Sequence, residues 1–312
     1  MSSTALLFSG QGSQEFGMGR SLAEHSPEVM NLWKRAESIS ALPLREIYWE
    51  GDEAAMANTK ALQPALTVVN LALWMHAANH VQPCAAAGHS LGEFSAFAAA
   101  GALPLDDVLH ITALRGALMA EADPHGTGAM AAIVKLDQGT VEDIVRQSRE
   151  ATGQMLRIAN YNTPAQLVIS GEKNAVDHAV ALTKAAKGRG IMLKVSGAFH
   201  SPLMAEAAKE LTPLLQKAHW SKPRFPVYCN VNGKAVTDAH SAQEAALQQM
   251  TSSVLWVDTV RAMAKAGAQR WLELAPKQVL GKMVQPCLAD LLPQGTSPDV
   301  LCVRNEEDLA SL

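Results

Sequence analysis

The sequence predicts an α/β fold: a large hydrolase-like domain on a parallel sheet, interrupted by a smaller ferredoxin-like (βαββαβ) insert. Three observations predict it. First, Gly88-His89-Ser90-Leu91-Gly92 lies between a short small-residue stretch and a long Ala/Phe-rich helical stretch, which reads as strand, tight turn and helix. Second, apolar runs such as residues 4–8 and 270–276 alternate with helical periods over 60–80 and 104–122. Third, residues 128–197 change character and read β-α-β-β-α-β, the split ferredoxin-like unit. The expected division is therefore 1–127 with 198–312 as the large domain, and 128–197 as the insert.

Each element has a local reason. TALLF, residues 4–8, reads as a buried strand that ends in the polar glycine loop Ser9–Gln14 and then Gly17, Met18 and Gly19. This loop is not G-x-G-x-x-G, which argues against a dinucleotide site. It either connects strand to helix or lines a site at the strand's C-terminal end. Residues 20–40 and 60–80 are helical by period. Leu62, Leu66, Val69, Leu73 and His76 share a face, with Pro64 near the helix start. Residues 104–122 form another helix. GAMAAIVKL (128–136) reads as a strand and 138–152 as a helix. MLRIANY (155–161) and QLVISGEK (166–173) are strands about a Thr163-Pro164 turn, followed by a helix over 174–188 and the strand IMLKVS (191–196). The chain returns through Gly197–Pro202, and Pro202 opens a helix to 218. FPVYCNVNG (225–233) reads as a strand, 256–266 as a helix and 277–290 as the last helix, with VLCVR (300–304) as a closing strand.

Composition narrows the function classes. The chain has 312 residues, 48% hydrophobic and 18% charged, which supports a sizeable core rather than disorder. A net charge of −4 without a basic stripe argues against nucleic-acid binding. The apolar run Ala5 to Phe8 is too short for a signal peptide, and no run of about 18 apolar residues predicts a membrane span. Cys84, Cys229, Cys287 and Cys302 lack C-x-x-C spacing, which predicts free thiols, no metal site and a cytoplasmic location.

The glycine-flanked serine is the chemical focus. A serine on a sharp strand-to-helix turn needs neighbours without Cβ atoms. The turn sets Ser90 Oγ at a helix N-terminus, where developing negative charge is favoured, and offers the Leu91 N–H as an oxyanion donor. A serine needs a base. His89 is adjacent, but the turn points neighbouring side chains apart. His200, in the Gly/Ser/Pro loop where the chain leaves the insert, is the better candidate. No aspartate stands in an obvious third position, so a dyad oriented by a main-chain carbonyl and a triad both remain open. An unperturbed histidine predicts an acid limb near about pH 6.5. Arg115 lies among apolar neighbours in ITALRGALMAEA and needs a partner, either a structural carboxylate or a ligand. Lys184, Lys187 and Arg189 cluster at a helix end, as a docking patch or as cations answering the helix dipole.

GQGSQ (10–14), GHSLGE (88–93), LRG (114–116), NYNTPAQLVISG (160–171) and GAFHSPLM (197–204) occur in one order and spacing that resembles the malonyl-CoA:acyl carrier protein transacylases, from residue 4 to about 305. Acyltransferase domains of polyketide synthases and the transacylase subunit of malonate decarboxylase are similar. The resemblance implies Ser90 as the acylated nucleophile and His200 as general base and then general acid. It implies Gln11 and Leu91 as oxyanion-hole amides, Arg115 as the grip on the malonyl carboxylate, and Gln249 as the residue whose carbonyl orients the histidine. Phe199 matches a position associated with malonyl selectivity, and Asn160, Asn162 and Gln166 match a motif facing the cleft. It also implies malonyl-CoA and a phosphopantetheinylated acyl carrier protein as substrates, no cofactor and no metal, no nucleic-acid or membrane partner, and a monomer. Two segments depart from the pattern: Ser253 stands where T-S-P-V-x-W has proline, and Ala275-Pro276-Lys277-Gln278 stands where G-P-G-K is usual. A serine hydrolase or thioesterase is the competing enzyme reading; it predicts an acidic third member and gives Arg115 no task. A catalytically silent carrier-binding module is the non-enzymatic alternative.

Overall fold

The structure, a computed structural model, describes residues 3–309. Its strands, in chain order, are β1 (Thr4–Phe8), β2 (Pro83–Gly88), β3 (Gly128–Val134), β4 (Leu156–Thr163), β5 (Gln166–Glu172), β6 (Arg189–Met192), β7 (Val227–Tyr228), β8 (Ala235–Val236), β9 (Arg270–Leu274) and β10 (Asp299–Val303). They form a six-stranded sheet of order β10-β9-β1-β2-β7-β8 and a separate four-stranded sheet of order β4-β5-β3-β6. The first sheet is parallel throughout except for the short hairpin strand β8.

A central parallel strand is covered on both faces, which is why β1 reads as an unbroken apolar run. Its alternation sorts side chains between two cores. Leu6 and Phe8 join the cluster under the helix Thr59–Ala77. Ala5 and Leu7 join the cluster formed by Trp256, Val260 and Met263 of the helix Trp256–Lys265. The small residues of β2 let helices approach this part of the sheet closely.

The second sheet is antiparallel in every pair, and its element order is the expected βαββαβ. The helices Gln138–Thr152 and Lys173–Ala185 supply Val141, Ile144, Ala175 and Val176 to a third core against it. Its edge strand β4 also touches the other body: Val254 N donates to Ala159 O at 2.8 Å, and Tyr161 N to Val254 O at 2.9 Å.

Several elements differ from the sequence expectation. The helix over 20–40 is broken at Ser26-Pro27; Ser26 Oγ caps the second piece by accepting from Val29 N at 3.3 Å. The Thr59–Ala77 helix is buried nearly all round rather than on one face, because other helices cover the side the sheet leaves. The strand over 225–233 shortens to β7, because Cys229 and Gly233 turn the chain into the β8 hairpin. The strand over 191–196 shifts to Arg189–Met192, and the helix over 277–290 runs from Gly281 to Leu288, with a short further helix at Glu306–Leu309. The start at Gly281 is set by Glu273, whose buried carboxylate accepts from the main-chain N–H groups of Val279, Leu280 and Gly281. The first turn of the helix after Pro202 is 3₁₀. The helix Ala239–Gln249, whose sequence periodicity is weak, is set by the capping carboxylate of Asp238, which accepts from Ser241 N.

Candidate active site

The site forms at the carboxyl ends of β1, β2 and β7, where the insert comes down on the sheet. The turn after β2 explains its glycines. A Cβ on Gly88 would lie 1.9 Å from the carbonyl carbon of Gly92, and one on Gly92 would lie 2.0 Å from Phe8 O. Only bare backbone fits this crossing. Ser90 itself takes the left-handed conformation, φ 51°, and so does His200, φ 55°. Such conformations cost on the order of 1–3 kcal/mol and persist where surrounding contacts over-determine them.

Those contacts are specific. Asn230 Oδ1 accepts from Ser90 N at 2.7 Å, and Asn230 Nδ2 donates to Gly88 O at 2.7 Å. Gln249 Nε2 donates to Ser90 O at 2.9 Å. The Ser90 backbone is thus gripped from both sides, and its hydroxyl meets His200 Nε2 at 2.7 Å. His200 Nδ1 faces the main-chain oxygens of Gln249 (3.2 Å) and Ser252 (3.1 Å). Both partners are acceptors, so Nδ1 carries the proton and Nε2 is left to accept the Ser90 hydroxyl. Among the described residues no carboxylate contacts the ring; main-chain carbonyls meet its Nδ1 instead.

Arg115 completes the group. It is 1% exposed, and none of its hydrogen-bond partners among the described residues is a carboxylate. Its Nη1 donates to Gln63 Oε1 at 2.8 Å, and its Nη2 to Gln249 Oε1 and to Ser90 Oγ, both at 3.0 Å. The Phe94 ring lies 5.8 Å from its Cζ. Its Nε–H is buried without a protein partner. Behind it, fully buried Glu93 accepts from Asn230 N at 2.5 Å and from Gln249 Nε2 at 3.1 Å. The Gln249 amide therefore sits between a buried cation and a buried carboxyl, with oxygen toward the one and nitrogen toward the other.

Burial governs the electrostatics. Loss of water, then the charge of Arg115 and the ring of His89, push the His200 imidazole down to about 3, against the pull of its two carbonyl partners. A limb near the ordinary histidine value is therefore not expected; the ring stays neutral, as a base must. Burial lowers Arg115 to about 10, which leaves it a cation at neutral pH. Burial raises Glu93 to about 8, opposed by Asn230, Gln249 and Arg115.

Ser90, His200 and Arg115 open on a cavity of about 110 Å³, walled by Gln11, Phe199, Met119 and Met130 among others. Gln11 and Leu91 both line it, and among the described residues no protein acceptor takes their main-chain N–H groups. The structure thus brings Ser90, His200, Arg115, Gln249, Gln11, Leu91 and Phe199 to one place. Asn160 lines the same cavity, whereas Asn162 Oδ1 is bonded to His89 Nε2 at 2.8 Å. Lys184, Lys187 and Arg189 are exposed and do not line the cavity. Sequence reasoning missed Gln63, Asn230 and Met130 and assigned nothing to Glu93. The last had a signal, as a carboxylate beside a predicted apolar helix start, whereas the others are single polar or apolar residues in unremarked stretches. The four cysteines are free, and no helix among the described residues is long and apolar enough to cross a membrane.

A serine in contact with a neutral imidazole, unpaired amides beside it and a buried cation within reach can form and stabilise an acyl-serine carrying a carboxylate. Comparison with known proteins points the same way. The acyl transferase domain family matches residues 5–302. The malonyl CoA-acyl carrier protein transacylase of Bacillus subtilis is 37% identical, with 91% of this chain and 90% of that protein covered. The enzyme of the same name from Haemophilus influenzae is 36% identical, with 93% and 94% covered. Among solved structures, a malonyl-transacylase in complex with a type II PKS acyl-carrier protein superposes with TM-score 0.91 at 33% identity, covering 99% of this chain and 98% of that one. An acyl carrier protein S-malonyltransferase from Vibrio cholerae gives TM-score 0.91 at 32% identity, with 99% of each chain covered. The chain belongs to the malonyl-CoA:acyl carrier protein transacylase family of acyl transferases.

Proposed function

We propose that this protein transfers a malonyl group from malonyl-CoA to the phosphopantetheine thiol of an acyl carrier protein, through a malonyl-serine on Ser90. The observation that carries the reading is Arg115: a cation buried beside the Ser90 hydroxyl, with its Nε–H unpartnered and its Nη2 hydrogen resting on Ser90 Oγ. The Nε–Nη2 edge of a guanidinium is a two-pronged partner for a carboxylate. Burying the malonyl carboxylate without such a partner would be costly.

His200 Nε2 takes the Ser90 proton as Oγ attacks the thioester carbon. The carbonyl oxygen becomes an oxyanion between the Gln11 and Leu91 amides. As the C–S bond breaks, His200 returns the proton to the departing thiolate, and CoA leaves. The second half runs in reverse: His200 deprotonates the carrier thiol, sulfur attacks the malonyl ester, and Ser90 recovers its proton. Gln249 holds two groups at once, His200 through its main-chain oxygen and Arg115 through its side-chain oxygen. Phe199, Met119 and Met130 restrict the acyl group to small size. The insert, residues 128–197, forms one wall of the cleft and keeps water from the ester, acting as a unit distinct from 1–127 and 198–312. No cofactor or metal enters any step.

The test is intact mass and peptide mapping after incubation with malonyl-CoA alone, followed by addition of the phosphopantetheinylated carrier. The expected result is a malonyl adduct on Ser90 that persists and is then lost to the carrier. Release of free malonate faster than transfer would instead establish a thioesterase.

A further inference from the structure

One fork of contacts outside the reacting group converges on the histidine-orienting loop. Arg157 lies on β4, the edge strand of the antiparallel sheet, and reaches across to the segment 251–253 of the other body. Its Nη1 donates to Thr251 O at 3.0 Å, and its Nη2 to Ser253 Oγ at 2.6 Å. The Ser253 hydroxyl in turn donates to Ile158 O at 2.7 Å. The two prongs straddle one residue, Ser252, whose main-chain oxygen accepts from His200 Nδ1. Next along the chain, Val254 is paired in parallel with Asn160 of the same edge strand. The segment carrying this carbonyl is thus held on both flanks from β4, while the Ser252 N–H itself donates to Gln249 O at 3.2 Å.

We infer that Arg157 and Ser253 are positioning residues for His200: the guanidinium fork fixes the direction of the Ser252 carbonyl and so the aim of Nε2 at Ser90. This rests on the Ser90–His200 reading proposed above. The physical reason is the weakness of the alternative. A loop carbonyl free to rotate about its peptide plane holds an N–H loosely, and catalytic aim is sensitive to small displacements. A planar fork with two donors resists that rotation, which an ammonium point charge does not. Neither residue lines the acyl cavity, so the effect falls on the chemical step and not on substrate affinity.

The test measures the rate constant for labelling of Ser90 by a fluorophosphonate in excess, a reaction that needs the activated serine but no malonyl group. It is run on the parent, Arg157→Ala, Arg157→Lys and Ser253→Ala, alongside kcat and KM for malonyl transfer. With the probe in excess, a permanently inactive fraction lowers the labelling amplitude and leaves the rate constant unchanged, and labelling well below each variant's melting temperature keeps reversible unfolding from lowering it. Arg157→Ala and Ser253→Ala are expected to label roughly tenfold more slowly, with kcat reduced in parallel and KM within about twofold of the parent. Arg157→Lys should fall between. Labelling of both Ala variants within twofold of the parent, whatever their melting temperatures, overturns the positioning role alone. A parent in which Ser90 is not labelled overturns the Ser90–His200 reading beneath it.

Discussion

Ser90 and His200 stand 2.7 Å apart, hydroxyl to Nε2, and each is held in the left-handed backbone region that most residues avoid. The two conformations bring one hydroxyl and one imidazole together. A serine at φ 51° projects its hydroxyl over the end of the sheet, and a histidine at φ 55° turns its ring back to meet it. The Ser90 main chain is met by the side-chain amides of Asn230 and Gln249, and the His200 ring by the main-chain oxygens of Gln249 and Ser252.

Ser90→Ala should give no acyl-enzyme with malonyl-CoA while keeping the fold, and His200→Ala should slow acylation by roughly 10²–10⁴-fold. Because burial and the Arg115 charge hold His200 down to about 3, acylation by the parent should keep its rate from pH 8 to pH 5. Rapid-quench measurement of the malonyl-enzyme across this range checks it; a half-fall near about pH 6.5 would mean the ring is solvated in solution.

Arg115→Ala should move acyl preference from malonyl-CoA toward acetyl-CoA. A hydrogen bond to a charged group contributes roughly 1.5–3 kcal/mol, which at about 1.4 kcal/mol per tenfold is on the order of 10–150-fold in malonyl transfer. Acetyl transfer should hold or improve, since a buried cation that acetyl gives no carboxylate partner is gone. Arg115→Lys should rescue only in part, as it lacks the two-pronged edge. The measurement is kcat/KM for both thioesters; equal losses would make the arginine structural.

Glu93→Gln should flatten the pH dependence of stability. The folded-state value is about 8 against an ordinary 4.5, so the folded protein binds more protons than the unfolded one between them. Stability from this group is complete below the lower value and lost as pH rises through the upper one. Urea midpoints from pH 5 to pH 8.5 should fall more in the parent than in the variant. An identical slope in both would show that the carboxyl titrates normally.

Asn230→Ala removes the acceptor for Ser90 N and the donor to Gly88 O, leaving two buried main-chain groups unpaired. Each costs about 1–3 kcal/mol, so a loss of roughly 2–6 kcal/mol in unfolding free energy is expected. Acylation should slow as well, because the left-handed turn loses its grip. Denaturant titration together with the acylation rate tests both; a stable variant with a slow serine would separate the two effects.

Much of the architecture was legible because it is written locally. Residues 138–152 carry a capping aspartate, Asp137, and a left-handed Gly153 at the far end, and the helix runs between them as the pattern predicts. The elbow was legible because two glycines flanking a serine answer a steric demand that the structure then displays at Gly88 and Gly92. Ser90, His200 and Arg115 could be proposed from residue type and setting, and Gln249 from the family pattern. What the sequence could not hold is convergence. Gln63, Asn230 and Gln249 lie far apart along the chain and meet only because β1, β2 and β7 are neighbours and the 239–249 helix ends over them. Local propensity carries no record of which distant amide will face a given carbonyl. Nor does it carry the protonation state of His200 or Glu93, since desolvation is a property of everything packed around a group. Local sequence specified most of the helices and strands, the turn and the chemistry available; packing set main-chain carbonyls against the His200 ring and a buried cation beside Ser90.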